Sequence, residues 1–148
     1  MIKSKKGFAL LEVIIVTIMF IAIVNISLSY VSFIEKNNIE KNSNIIVNVL
    51  KECRIKSIEN HRTYSISFTT ENDLIIQYLE EVVQVEKIVN LEDIDSLSLN
   101  STTGNIVYIE SGTTSTPCTI LIKNGEYKGV ITINLGSGMP NFKGITKN

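Results

Sequence analysis

From Val13 to Ile34 the chain runs for 22 residues without a charge. As α-helix that is about 33 Å, enough to cross a hydrocarbon core of about 30 Å. Past Ile34 the apolar positions thin out but keep helical spacing: Ile39, Ile46, Val49, Leu50 and Cys53 fall on one face, with Lys, Glu and Asn largely opposite. No Pro or Gly interrupts Phe8 to Asn60, so the pattern predicts one helix of 53 residues, roughly 80 Å long. The Asn60-His61-Arg62 cluster ends it. A helix of that length needs lateral support, which places its first half in a membrane or an assembly and its second half against a globular head.

After Arg62 the period changes from helical to two. Tyr64, Ile66 and Phe68 alternate with Ser65, Ser67 and Thr69, the signature of a half-buried strand. Further strands are predicted at Leu74–Leu79, Val82–Val89, Ile94–Leu99, Asn105–Glu110, Thr119–Lys123 and Val130–Leu135. Turn-forming clusters separate them, among them Glu71-Asn72-Asp73, Glu80-Glu81, Asn124–Glu126 and Gly136–Pro140. The fold class is therefore α+β: a long N-terminal helix packed on a small antiparallel head, either a sandwich or one strongly curved sheet.

One residue disturbs the apolar run. Glu12 places a carboxylate at its head, where a bilayer penalises charge by about 2.5–3.5 kcal/mol at mid-membrane and less near the interface. An ionisable group there calls for a function and a partner. Charge also sets orientation. Lys3, Lys5 and Lys6 precede the run, whereas Lys36 and Lys41 beyond it alternate with Glu35 and Glu40. The positive-inside rule puts the N-terminus in the cytoplasm and the bulk of the chain outside.

The stretch Lys5-Lys6-Gly7-Phe8-Ala9-Leu10-Leu11-Glu12-Val13 resembles the processing site of type IV prepilins and pseudopilins: a basic leader, Gly, an aromatic residue, three small or apolar residues, Glu, then about twenty apolar residues. The resemblance implies a prepilin peptidase that cuts between Gly7 and Phe8 and N-methylates Phe8. Glycine suits such a site because the backbone, lacking a Cβ, can bend and approach an enzyme closely. It further implies that Glu12 faces the amine of a neighbouring subunit's Phe8 during filament assembly. Opposite charges about 4 Å apart attract by about 4 kcal/mol at an effective dielectric near 20; desolvation cancels much of this, so the pair sets register more than affinity. Major pilins often carry a Pro where this chain has Ser29, a departure that points to a minor component. The layout of the head, with a Gly-rich turn Leu135–Pro140 after the last strand, is similar to the H-type minor pseudopilins.

On this reading the chain divides into a cytoplasmic leader (1–7), a transmembrane and filament-core helix (8–34), its amphipathic continuation (35–60) and an extracytoplasmic β-rich head (61–148). Two other readings fit the apolar run alone. A secretory signal peptide would be cut near Ser27 or Ser29, but Glu12 and the unbroken continuation to Ile34 oppose it. A plain signal anchor holding an extracellular binding domain is opposed by the Gly-Phe and Glu12 spacing.

The head offers no catalytic constellation, so no enzyme, cofactor or metal site is expected. His61 is the single histidine, which denies any His-based metal cluster. Glu92, Asp93 and Asp95 lack EF-hand spacing and read as a solvated turn; Glu71/Asp73 and Glu80/Glu81 read as hairpin corners. No Gly-x-Ser-x-Gly elbow, Walker loop or dinucleotide fingerprint occurs. Cys53 and Cys118 would stand outside the cytoplasm, where a disulfide persists; they are either a bridge or two small buried hydrophobes.

Charge bears on partners. The formal net charge is −1, and loss of three lysines with the leader takes it to −4, which does not advertise nucleic acid. Some members of that family bind DNA through basic residues near the C-terminus, where this chain has only Lys143 and Lys147, so direct DNA binding is not expected. The expected partners are a prepilin peptidase, the membrane, and other pilin or pseudopilin subunits met through the N-terminal helix. A competence pseudopilin of a DNA-uptake machine is the nearest alternative function.

Overall fold

The computed structural model describes residues 3–79, 83–115 and 117–147, without the side chains of residues 3–9, Leu79, Val83 and Glu86. Helix α1 spans Lys3–Glu59, so it begins inside the expected leader and stops where the sequence predicts. His61 has a left-handed φ of 50°, and the backbone amides of Asn60 and Arg62 donate to Lys56 and Ser57 at 2.9 and 3.3 Å, closing the last turn. The chain forms two compact units, Met1–Ile34 and Glu35–Asn148.

In the first unit every side chain from Leu10 to Val31 is exposed, and α1 is long and apolar enough to cross a membrane. Its neutral polar residues are not the liability they look like in sequence. Thr17, Asn25, Ser27 and Ser29 each donate to the carbonyl four residues earlier (Val13, Ile21, Ile23 and Asn25) at 2.7–2.9 Å. These donors are satisfied inside the helix, which lipid requires.

The second unit holds α1 from Glu35 onward and eight strands: β1 (Thr63–Phe68), β2 (Leu74–Leu79), β3 (Val83–Val89), β4 (Ser96–Asn100), β5 (Ile106–Tyr108), β6 (Cys118–Asn124), β7 (Tyr127–Ile133) and β8 (Pro140–Lys147). They form two four-stranded sheets, ordered β3-β2-β1-β5 and β4-β6-β7-β8, and all pairings are antiparallel. One core joins helix and sheets. Ile39, Ile46 and Leu50 come from α1, Ile66, Ile76 and Ile106 from the first sheet, and Ile120, Ile122, Ile131 and Ile133 from the second. Fully burying each such side chain stabilises by about 1.5–3 kcal/mol. Gly129 on β7 lets the helix come close: a β-carbon there would stand 2.5 Å from Ile39 Cγ2.

Two expectations change. The last strand is not Val130–Leu135; β7 spans Tyr127–Ile133, and Gly129 sits inside it where the helix comes close. The Gly-rich segment is a turn between strands, because β8 follows it from Pro140. Pro is tolerated at the first position of an edge strand, and a register shift between Gly129 and Ile131 in the β7–β8 pairing breaks the alternation that would reveal β8 in sequence.

Candidate assembly and processing site

Gly7, Phe8 and Glu12 lie on α1. The peptide bond between Gly7 and Phe8 is within the helical backbone; the Phe8 side chain is outside the described residues. Phe8 and Glu12 are four positions apart, about one helical turn, and so share a face. Glu12 is exposed, and among the described residues no hydrogen bond or ion pair reaches it. The contrast with Thr17, Asn25, Ser27 and Ser29 is chemical. A hydroxyl or amide can turn back onto its own helix, but a carboxylate has no proton to give a carbonyl. Among the described residues, Glu12 therefore has no donor or cation to satisfy it.

Several polar residues of the head are spent on architecture. Asp95 Oδ2 accepts from the Gly125 amide at 2.7 Å, and the Asn124 amide donates to the Asp93 carbonyl at 2.9 Å, so the acidic segment before β4 holds the β6–β7 turn. In the β1–β2 turn, Asn72 has a φ of 66°. Its side chain donates to the Ile94 carbonyl at 3.4 Å and accepts from the Leu97 amide at 3.0 Å, fixing Glu71 and Asp73 beside that segment. Glu80 and Glu81 lie outside the described residues. His61 is exposed at the end of α1. Among the described residues no group of three His, Cys, Asp or Glu could hold a metal ion.

Cys53 and Cys118 are both buried in the core, and both help to raise the pKa of buried Tyr108, after the larger effect of desolvation. Burial pushes the Cys118 thiol up to about 11. Cys118 also lines an open cleft of about 430 Å³ whose other walls include Asn100, Thr102, Thr119 and Thr132, a neutral polar surface with no acid–base pair. Of the C-terminal lysines, Lys147 pairs with Glu126 at 2.7 Å, and that hydrogen bond raises its pKa; Lys143 is exposed.

Several architectural contacts leave no mark in sequence. Arg54 Nε donates to the Ser137 carbonyl at 3.1 Å and the Tyr108 hydroxyl to the Gly138 carbonyl at 2.9 Å, so α1 and β5 together hold the β7–β8 turn. The Asn42 amide donates to the Glu92 carbonyl at 2.9 Å. Only Asn42, among the apolar positions of the amphipathic helix face, could have hinted at one of these.

No family model and no curated protein matches the sequence. Solved structures do match the fold. The type IV minor pilin FimU of Pseudomonas aeruginosa aligns with a TM-score of 0.60 over 75% of this chain and 92% of its own, at 18% identity. The minor pseudopilin EpsH of the Vibrio cholerae type II secretion system aligns with a TM-score of 0.61 over 74% of this chain and 97% of its own, at 12% identity. At such identities the likeness is one of architecture: the chain has the fold of a minor pilin and a minor pseudopilin.

Proposed function

We propose that this chain is a structural subunit, of the minor kind, in a type IV pilus or pseudopilus-type filament. Before assembly it is held by one membrane-crossing helix with its N-terminus in the cytoplasm and its head outside. A prepilin peptidase removes residues 1–7, cutting between Gly7 and Phe8, and Phe8 is N-methylated. Glu12 then meets the new amine of the adjacent subunit, while the exposed apolar face of α1 passes from lipid to neighbouring helices. The observation that carries this reading is Glu12: the one carboxylate of the apolar run, without a partner among the described residues, one turn from Phe8, in a fold found in FimU and EpsH.

The test is the intact mass of the protein recovered from cells. A mature chain beginning at Phe8, with or without a methyl group, supports the reading. An intact leader would return the chain to a signal-anchored binding domain, and a start near Ser29 to a secreted one.

A further inference from the structure

The outward face of the second sheet collects charges that the sequence scatters. Lys123 on β6 and Lys128 on β7 stand directly opposite each other, and Lys143 on β8 is exposed next to core-packed Phe142. Like charges directly opposite in an antiparallel pair repel. Among the described residues no carboxylate lies within ion-pair distance of any of the three. The remaining outward positions of β4, β6 and β7 are Ser, Thr, Asn, Leu and Val. A complementary surface exists on the same molecule. The Asn72 clasp ties the turn that carries Glu71 to Ile94 and Leu97, in the segment that follows Glu92 and Asp93; all three acids are exposed, and no described cation pairs with them.

We propose that Lys123, Lys128 and Lys143 form a docking face for an acidic protein surface, and that its occupant is a second copy of this chain presenting Glu71, Glu92 and Asp93. Charge complementarity selects this partner. Three lysines release few counterions from a nucleic acid, and the chain's negative balance opposes long-range attraction of a polyanion. The contact rests on the filament reading in one respect: it names the head surface through which one subunit would meet the next.

The test uses the full chain in phosphatidylcholine vesicles, mixed as equal parts of ordinary and ¹⁵N-labelled protein. A carbodiimide joins a lysine amine to a touching carboxylate as an amide, itself taking up the water as a urea. The expected products are mixed-isotope peptides linking Lys123, Lys128 or Lys143 to Glu71, Glu92 or Asp93. Their yield should fall at least tenfold in Lys123→Glu/Lys128→Glu and with added salt. It should return when that variant is mixed with Glu71→Lys/Glu92→Lys. Links confined to single chains, or interchain links that survive the lysine reversal, overturn the proposal. So does salt-sensitive retention of duplex DNA that the lysine reversal abolishes while no interchain link forms. The processing result is independent: cross-linking with an intact leader removes the filament reading and keeps the contact, and a Phe8 start without cross-linking does the reverse.

Discussion

The hydroxyl of Tyr108, on the edge strand of the first sheet, donates to the carbonyl of Gly138 in the turn of the second at 2.9 Å. The phenol is fully buried, and desolvation pushes its pKa above the usual range. Gly138 comes so near that an added β-carbon would stand 2.5 Å from the Gly112 carbonyl oxygen. This bond therefore fastens the edge strand of the first sheet to the β7–β8 turn of the second, where Gly138 packs close against the Gly112 carbonyl.

Tyr108→Phe keeps the ring and removes the donor. A net hydrogen bond contributes about 0.5–1.5 kcal/mol, and a carbonyl left buried without a donor adds to the loss. The expected cost is about 1–2 kcal/mol. Urea denaturation of the full chain in detergent micelles should show a lower midpoint with an unchanged slope. An unchanged midpoint would mean that water replaces the phenol at no cost.

Gly129→Ala tests the approach of helix and sheet. The new methyl meets Ile39 Cγ2, and overpacking of this kind costs about 1–3 kcal/mol. Ile39→Leu removes the γ2 branch, so the double variant should regain part of the loss. If the two effects simply add, the residues do not touch in the way described.

How much of this could be read beforehand follows from the reach of each signal. The stop of α1 near Asn60 and strands β1 and β2 follow from local periodicity, because burial on one face imposes its own period on neighbouring residues. Glu12 stands out because a charge contradicts its surroundings. What fails is anything set by a distant partner. Gly129 falls just before the expected strand Val130–Leu135 and proves to lie inside β7, in close approach to Ile39, 90 positions earlier. Strand β8 hides because Pro140, Lys143 and Gly144 mask its two apolar anchors, Phe142 and Ile145. Lys123 and Lys128 become a pair only once the hairpin register is known.

The Cys118 thiol, pushed up to about 11 by burial, makes stability depend on pH. Between the ordinary thiol value of about 8.5 and about 11, an unfolded chain has lost this proton and the folded chain keeps it. Stability should therefore be fully present below about pH 8.5 and fall as pH rises through that window. Cys118→Ala should flatten this part of the profile, measured by thermal unfolding at pH 8, 9 and 10 under reducing conditions. An equally steep fall in the variant would assign the effect elsewhere. A thiol titration without reductant decides the companion question: two reactive thiols after denaturation mean buried hydrophobes, and none means a Cys53–Cys118 bridge.

Glu12→Gln separates insertion from assembly. The amide has nearly the shape of the carboxylate and no charge, so the cost of placing position 12 in lipid falls, and the membrane fraction should hold as much variant as native protein. Leader removal should also continue, because Gly7 and Phe8 are untouched. On the proposed reading, what the variant loses is attraction to a neighbouring amine, about 4 kcal/mol at 4 Å and a dielectric near 20 before desolvation is subtracted. Even one-third of that is about tenfold in an equilibrium, so the share recovered in sheared filaments should drop by tenfold or more. Glu12→Asp keeps the charge on a stem one methylene shorter and should fall between the two. If Glu12→Gln enters filaments at the native level, the carboxylate does not set the register of docking, and its place at the head of an apolar helix needs another cause.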